Sequence, residues 1–331
     1  MAVVAFGTGA TWFVESPSQW KWSALPNGVV RFFGSTTGSK VSHVHNLVFG
    51  ANNSFMMAWR GQDGCNYQCK DWPSWCTFHC RTPWCLPTAL EAWLDEKNAK
   101  GNLVRDVPNI RLALGPNNRS FFVSDGKNCF WQNLPAPLDK AIEARRKNGG
   151  GFTRAPRIVA LGISGNYVLI DDGDVHSFIL HKYPALEKQF KEMCAANGNQ
   201  PGALRDIAYV SLDVFDGVNF VATTHNGEYT GEVPDGGEVE DSFQFVLNTL
   251  PKRTAIATPA GRGKTSSGFG TFLKLASVVL NAEANAVNNA NSGGGAGANA
   301  LDLAQQNMAF TQGLQTQMWD SVDASASWNP Q

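Results

Sequence analysis

The chain has 331 residues, a formal net charge of −1, and 43% hydrophobic and 11% aromatic content. That is enough apolar chain for a sizeable buried core, and the charge balance leaves no electrostatic footprint for nucleic acid or an anionic membrane surface. No stretch approaches the roughly 18 apolar residues a spanning helix needs, so no transmembrane segment is expected. The opening MAVVAFGTGATWFVES lacks the basic start and long apolar run of a signal peptide. The expected location is therefore cytoplasmic, where structural disulfides are disfavoured.

Taken in order, the chain repeats itself. The first unit, residues 1–26, carries Gly7, Phe13, Trp20, Trp22 and Leu25-Pro26. The second begins near Leu47 and carries Gly50, Phe55, Asp63-Gly64 and Leu86-Pro87. The third, from Ile110 to Arg145, has Leu114-Gly115, Phe121, Asp125-Gly126, Phe130-Trp131 and Leu134-Pro135. The fourth, from Ile158 to Met193, answers with Leu161-Gly162, Tyr167, Asp172-Gly173 and Pro184. A fifth, from Ile207, has Phe220, Asn226-Gly227, Tyr229 and Pro234.

The step from the leading aromatic to the proline is 13, 14, 17 and 14 residues in four units and 32 in the second. The surplus in the second unit holds the densest cysteine cluster, so that cluster reads as an insertion, a loop between strands. The leading aromatics lie 42, 66, 46 and 53 residues apart. With the insertion set aside, this is the period of propeller blades. Each unit reads strand, turn, strand, turn, strand, helix. The helices are carried by spacing: Leu86, Leu90, Trp93 and Leu94; Leu134, Leu138 and Ile142; Tyr183, Leu186, Phe190 and Met193. Pro87 and Pro135 suit a first helical turn, and the glycine dipeptides suit tight hairpins.

A single such unit cannot bury its apolar face, so neighbours must stack, and ring closure would hide the edge strands. The expected fold is mainly β with short helices: a propeller-like array of about five β-β-β-α repeats over residues 1–250. A helical or low-complexity C-terminal region follows over 251–331. An irregular β-rich α+β domain is the alternative.

Several residues could carry chemistry or binding. Trp12, Trp20 and Trp22 crowd the first unit, and Trp131 marks the third. Core packing explains such residues, and so does an exposed aromatic platform for a sugar or peptide. Trp20, Trp22 and Trp131 are the candidate ligand-binding residues. His43 and His45 flank Val44 and should share a strand face with Val41; a solvated face explains the pair without a metal. Within residues 65–85, Cys65, Cys69, Cys76, His79, Cys80 and Cys85 form two C-x3-C pairs with a histidine and a further cysteine. Such a set could hold zinc, could form disulfides in an oxidising compartment, or could stay reduced. Trp72, Trp75 and Trp84 interleave with it.

Arg145, Arg146 and Lys147 precede a glycine run and read as helix-end dipole compensation. Asp171, Asp172, Asp174, His176 and His181 invite an acid–base reading; turn formation at Asp172-Gly173 explains them as structure. DGGEVED over 235–241 reads as a solvated loop, and SFQFVLNTL over 242–250 as a closing strand or last helix. PAGRGKTSSG over 259–268 lacks the first glycine of a phosphate-binding loop, because Thr258 stands there, and reads as a linker. Residues 269–291 and 300–319 are two helix candidates around a flexible spacer, with self-association through this tail as an expectation.

The phrase LG, aromatic, DG, aromatic, LP-x-x-L over 114–138 and 161–186, with the connector GNLVRDVPNIRLALGPNNRSFFVSDG at 101–126, resembles a group of fungal repeat proteins. The resemblance covers about residues 1–250 and implies an architecture of tandem units without implying an activity. The cysteine insertion departs from its pattern. The expected function is a non-enzymatic binding or scaffold protein with a protein partner. A carbohydrate-binding protein using its tryptophans, and an enzyme with a central pocket lined by Asp171, Asp174 or His176, are the alternatives.

Overall fold

Five three-stranded antiparallel sheets follow one another along the chain in the computed structural model, which describes residues 2–71, 86–147, 151–234 and 237–252. The first sheet is β1 (Val3–Phe6), β2 (Trp12–Glu15) and β3 (Trp20–Ser23), followed by α1 (Asn27–Phe33). The second is β4 (Val41–Phe49), β5 (Phe55–Gly61) and β6 (Asn66–Asp71), followed by α2 (Thr88–Leu94). The third is β7 (Arg111–Leu114), β8 (Phe121–Ser124) and β9 (Cys129–Gln132), with α3 (Ala136–Glu143). The fourth is β10 (Pro156–Leu161), β11 (Tyr167–Asp171) and β12 (His176–Ile179), with α4 (Pro184–Ala196). The fifth is β13 (Ile207–Leu212), β14 (Phe220–Thr224) and β15 (Tyr229–Glu232), with α5 (Gly237–Leu247). The expected order of three strands and a helix is present in every unit.

The middle strands explain why the sequence shows apolar runs instead of alternation. β2, β8, β11 and β14 are buried on both faces along their whole length. Because strand side chains alternate, each middle strand feeds two different cores. Phe13 joins a core with the second sheet, while Trp12 and Val14 join one that contains Val221 of the fifth. Phe121 and Val123 face the second sheet, and Phe122 faces the fourth. Tyr167 and Leu169 face the third, and Val168 and Ile170 the fifth. Each core also takes one helix: Val29 and Phe33 of α1, Leu90 and Leu94 of α2, Leu138 and Ile142 of α3, Leu186 and Phe190 of α4, and Phe243, Val246 and Leu247 of α5. The first strands neighbour one another: β1 lies beside β4, β4 beside β7, β7 beside β10, β10 beside β13, and β13 beside β1.

The helix starts differ slightly from expectation. Pro26, Pro87 and Pro135 stand just outside their helices with ψ of 141°, 131° and 133°, and only Pro184 occupies the first helical position. Their carbonyls accept the first helical bonds, from Val30, Glu91 and Asp139. A proline there fixes φ without losing a needed donor.

Other expectations are corrected. The stretch starting at Cys65 is not a loop at its outset: β6 runs from Asn66 and includes Cys69. His43 and His45 do not lie in simple alternation, because β4 shifts register between Val41 and His43 and again between Val44 and Asn46. These bulges put both Val41 and Val44 into the core. The acidic stretch after Pro234 is not all loop, since α5 starts at Gly237; of the two forms expected for 242–250, a closing strand or a last helix, the helix is present as far as Leu247. Acidic Glu238 and Glu240 sit in its first turn, where the helix dipole favours them.

In the fourth hairpin the positive φ belongs to Asp174 and not to Gly173, whereas Gly64, Gly126 and Gly227 take it in theirs. The aspartate that organises that turn is Asp171, whose Oδ1 accepts the Gly173 and Val175 amides. Arg145 is no dipole-compensating surface residue either: its Nε bonds the fully buried Asp171 at 2.7 Å. The phosphate-loop-like stretch and both tail helix candidates, with the self-association read from them, lie outside the described residues.

Candidate functional site

Each sheet leaves its first strand as an edge. An exposed edge carries unpaired N–H and C=O groups and invites pairing with other chains. Here the five edges turn towards a shared cavity of about 280 Å³, lined by residues of β1, β4, β7, β10 and β13. Most of its side chains are apolar, among them Leu47, Leu112 and Val159. The polar ones are few: Asn46, Asn109, Arg111, Ser124, Arg157, Tyr209 and Ser211.

Their partners differ in kind. Arg157 donates to the Ile207 carbonyl at 2.6 Å and to Asp174 Oδ1 at 3.1 Å. The Tyr209 hydroxyl donates to the Val4 carbonyl at 2.6 Å, and burial pushes its pKa up, so it stays a protonated donor. Arg111 donates from one Nη to the Pro108 and Ile110 carbonyls at 3.1 and 2.8 Å. Burial pulls its guanidinium pKa down. Asn46 is buried, with its amide oxygen lacking a hydrogen-bond partner among the described residues.

Beyond the cavity, Glu15 at the end of β2 is buried and accepts from the Val44 amide at 2.9 Å, with His43 Nδ1 at 2.9 Å from its other oxygen. Burial lifts its carboxyl above the ordinary range, against the pull of His43 and the Val44 amide. His45 approaches Asn66 at 3.0 Å, and burial lowers its pKa. Glu15 ties the first sheet to the second through the bulged start of β4, and His43 takes part in this joint.

The acid–base group of the fourth unit does not line the cavity. Asp171 is spent on its turn and on Arg145, and Asp174 on Arg157. His181 lies 3.3 Å from the Asn166 amide. His176 Nε2 stands 3.1 Å from Cys194 Sγ, a thiol–imidazole pair by distance. Burial pushes the thiol pKa up and the imidazole pKa down, which disfavours the thiolate–imidazolium form a nucleophile would need. The sulfur is buried among Leu186, Phe190 and their neighbours.

The three tryptophans separate. Trp20 and Trp22 share one face of β3, are 36% and 37% exposed, and both rest on Phe33. Trp131 occupies the place in the third sheet that Trp22 has in the first, each paired with the second residue of its middle strand. Its indole donates to Asp139 at 2.9 Å, and Phe152 and Arg146 approach its ring, so it is engaged internally. Of the metal candidates, Cys65 is exposed and Cys69 half-buried; Cys76, His79, Cys80 and Cys85 lie outside the described residues. No group of three or more histidine, cysteine or acidic side chains is placed to hold a metal among the described residues.

Sequence reasoning missed Arg111, Arg157 and Tyr209. The available signal was positional: Arg111 and Arg157 each fall near the start of a unit's first strand, where a propeller-like reading puts the inner surface. Comparison with protein-family models, with curated proteins and with solved structures finds no match for the chain. No helix among the described residues is long and apolar enough to cross a membrane.

Proposed function

We propose that residues 1–250 form a closed five-bladed propeller that serves as a non-enzymatic binding protein, holding an extended segment of a protein partner along β3. Closure is supported by β13 lying beside β1 and by the core that joins Val221 to Trp12, Val14 and α5. The observation that carries the function is the exposed pair Trp20 and Trp22 on an outer strand with no fourth strand beside it among the described residues. Strand addition gives affinity through main-chain bonds and specificity through alternate side chains. Two indoles two residues apart offer apolar contact area and N–H donors along that line. A cytoplasmic setting belongs to the same reading, and the free thiols of Cys65, Cys129 and Cys194 fit it.

The test is selection of a random-peptide display library on the immobilised protein, repeated with Trp20→Ser/Trp22→Ser. Peptides retained by the parent and lost by the double variant support the reading. Retention unchanged in the variant counts against β3. Binding on a glycan array that depends on the same two residues would replace the protein partner by a carbohydrate.

A further inference from the structure

We propose that the cavity between the five first strands binds a small molecule carrying an oxyanion, a carboxylate or phosphate on a short apolar body, with Arg111 as its anchor. The proposal is independent of β3 and its tryptophans.

The three other half-buried guanidiniums among the described residues face carboxylates: Arg145 faces Asp171, Arg157 faces Asp174, and Arg105 faces Glu96 and, at 3.9 Å, Asp125. Arg111 is half-buried, lines the cavity, and has no carboxylate within ion-pair distance among the described residues. A partly desolvated cation without a counter-charge is costly, and the depression of its pKa by burial has the same origin. Its two bonds to carbonyls of its own approach segment fix the guanidinium before any ligand arrives, which lowers the ordering cost of binding. The remaining N–H groups make no hydrogen bond within the described residues, and a guanidinium matches carboxylate or phosphate geometry.

The surroundings set the rest of the ligand. Arg157 and Tyr209 line the same space from β10 and β13. Val48, Val159, Ala208 and Ser211 also line it while only half-buried, so solvent reaches the interior. A volume of about 280 Å³ sits at the lower edge of small-molecule pockets. With Leu47, Leu112 and Val159 along the walls, it suits a short aliphatic chain behind the charged head.

The test is calorimetric titration and thermal-shift measurement of the full chain with hexanoate, hexyl phosphate, inorganic phosphate and hexylamine. Hexanoate or hexyl phosphate is expected to bind and raise Tm, with hexylamine inert. Arg111→Met should weaken binding on the order of tenfold or more, as loss of a charged hydrogen-bond partner implies. Ala208→Leu keeps the guanidinium but fills the space, and should weaken binding as well; it decides the matter should Arg111→Met fail to fold. Binding of hexanoate alone assigns a carboxylate, and binding of a phosphate compound alone assigns a phosphate; either supports the proposal. No binding by any oxyanion, equal binding of hexylamine, or affinity unchanged in Ala208→Leu or in folded Arg111→Met overturns it.

Discussion

The Tyr209 hydroxyl on β13 donates to the Val4 carbonyl of β1 at 2.6 Å and accepts the Val4 amide at 3.2 Å, across 205 residues of chain. One side chain of the fifth sheet thereby satisfies both main-chain groups of one residue on the edge of the first. Removing the hydroxyl leaves a buried donor and acceptor without partners, which costs about 1–3 kcal/mol. Tyr209→Phe is expected to lower unfolding free energy by that amount in urea titration, with the m-value unchanged. Tyr167→Phe is the control, because among the described residues its hydroxyl meets only the nearby Ser177. Equal losses in both variants would mean that the long-range pair adds nothing beyond an ordinary hydroxyl contact.

Arg145 and Asp171 make the joint between the third helix and the fourth sheet. Asp171 is fully buried, and Arg145 also donates to the Ala141 carbonyl at 2.6 Å. Breaking a buried pair from one side strands the other charge, at a typical cost of about 3–5 kcal/mol. Arg145→Met should lose stability on that scale. Arg146→Met, which removes an exposed pair with Glu143, should cost less than about 1 kcal/mol. The ranking, read by thermal and urea unfolding of both variants, is the check; similar small losses would show that Asp171 is satisfied by its turn amides alone.

The contrast between those two arginines also shows where the sequence could be read and where it could not. The period of aromatic, turn and Leu-Pro landmarks reports local structure, and local structure came through: three strands and a helix per unit, with Leu138, Ile142, Leu186 and Phe190 on buried helix faces. Arg145 and Arg146 are neighbours in a basic run, and nothing local distinguishes the one that reaches a buried aspartate 26 positions on. The bulges in β4 are equally silent, since they arise where Glu15 of another sheet takes the Val44 amide. For the same reason the grouping of the cavity residues was hidden, although Arg111 and Arg157 each stand near the start of a first strand. Arg111, Arg157 and Tyr209 come together only when three separate first strands converge, and no spacing within the chain encodes that convergence. Trp20 and Trp22 were legible as a pair, but their exposure, against the engagement of Trp131, depends on what packs beside each sheet.

Glu15 makes stability depend on pH. Its folded pKa lies above the unfolded value of 4.5 because burial outweighs the attraction of His43. Between the unfolded and folded values the native state binds the extra proton, so stability falls as pH rises through that window, and the full cost applies above it. Glu15→Gln removes the titration while keeping an acceptor for the Val44 amide. The expected outcome is that the variant gains on the parent as pH rises through the window and holds a constant difference above it. Urea unfolding of both proteins across a pH series measures this. The opposite slope, with the parent gaining on the variant as pH rises, would mean that the His43 contact dominates burial.

Gly162 tests how tightly the fourth and fifth units are locked. Its backbone is extended, with φ −126° and ψ −177°, so alanine meets no conformational penalty there and any cost is steric. A Cβ at this position would stand 2.6 Å from both Cε2 and Oη of Tyr183. That ring is fully buried, and its hydroxyl is held by the Asp213 carbonyl at 2.6 Å and the Ile163 amide at 3.2 Å. The ring therefore cannot retreat without breaking the link to the fifth unit. Gly162→Ala is expected to cost about 1–3 kcal/mol, the usual range for overpacking a filled core. In a double-mutant cycle with Tyr183→Leu, the glycine substitution should cost less, because the atoms it meets are gone, giving a coupling energy of about 0.5 kcal/mol or more. Additive losses would show that the strain from the added methyl is taken up elsewhere and that the tyrosine is not the lock between these units.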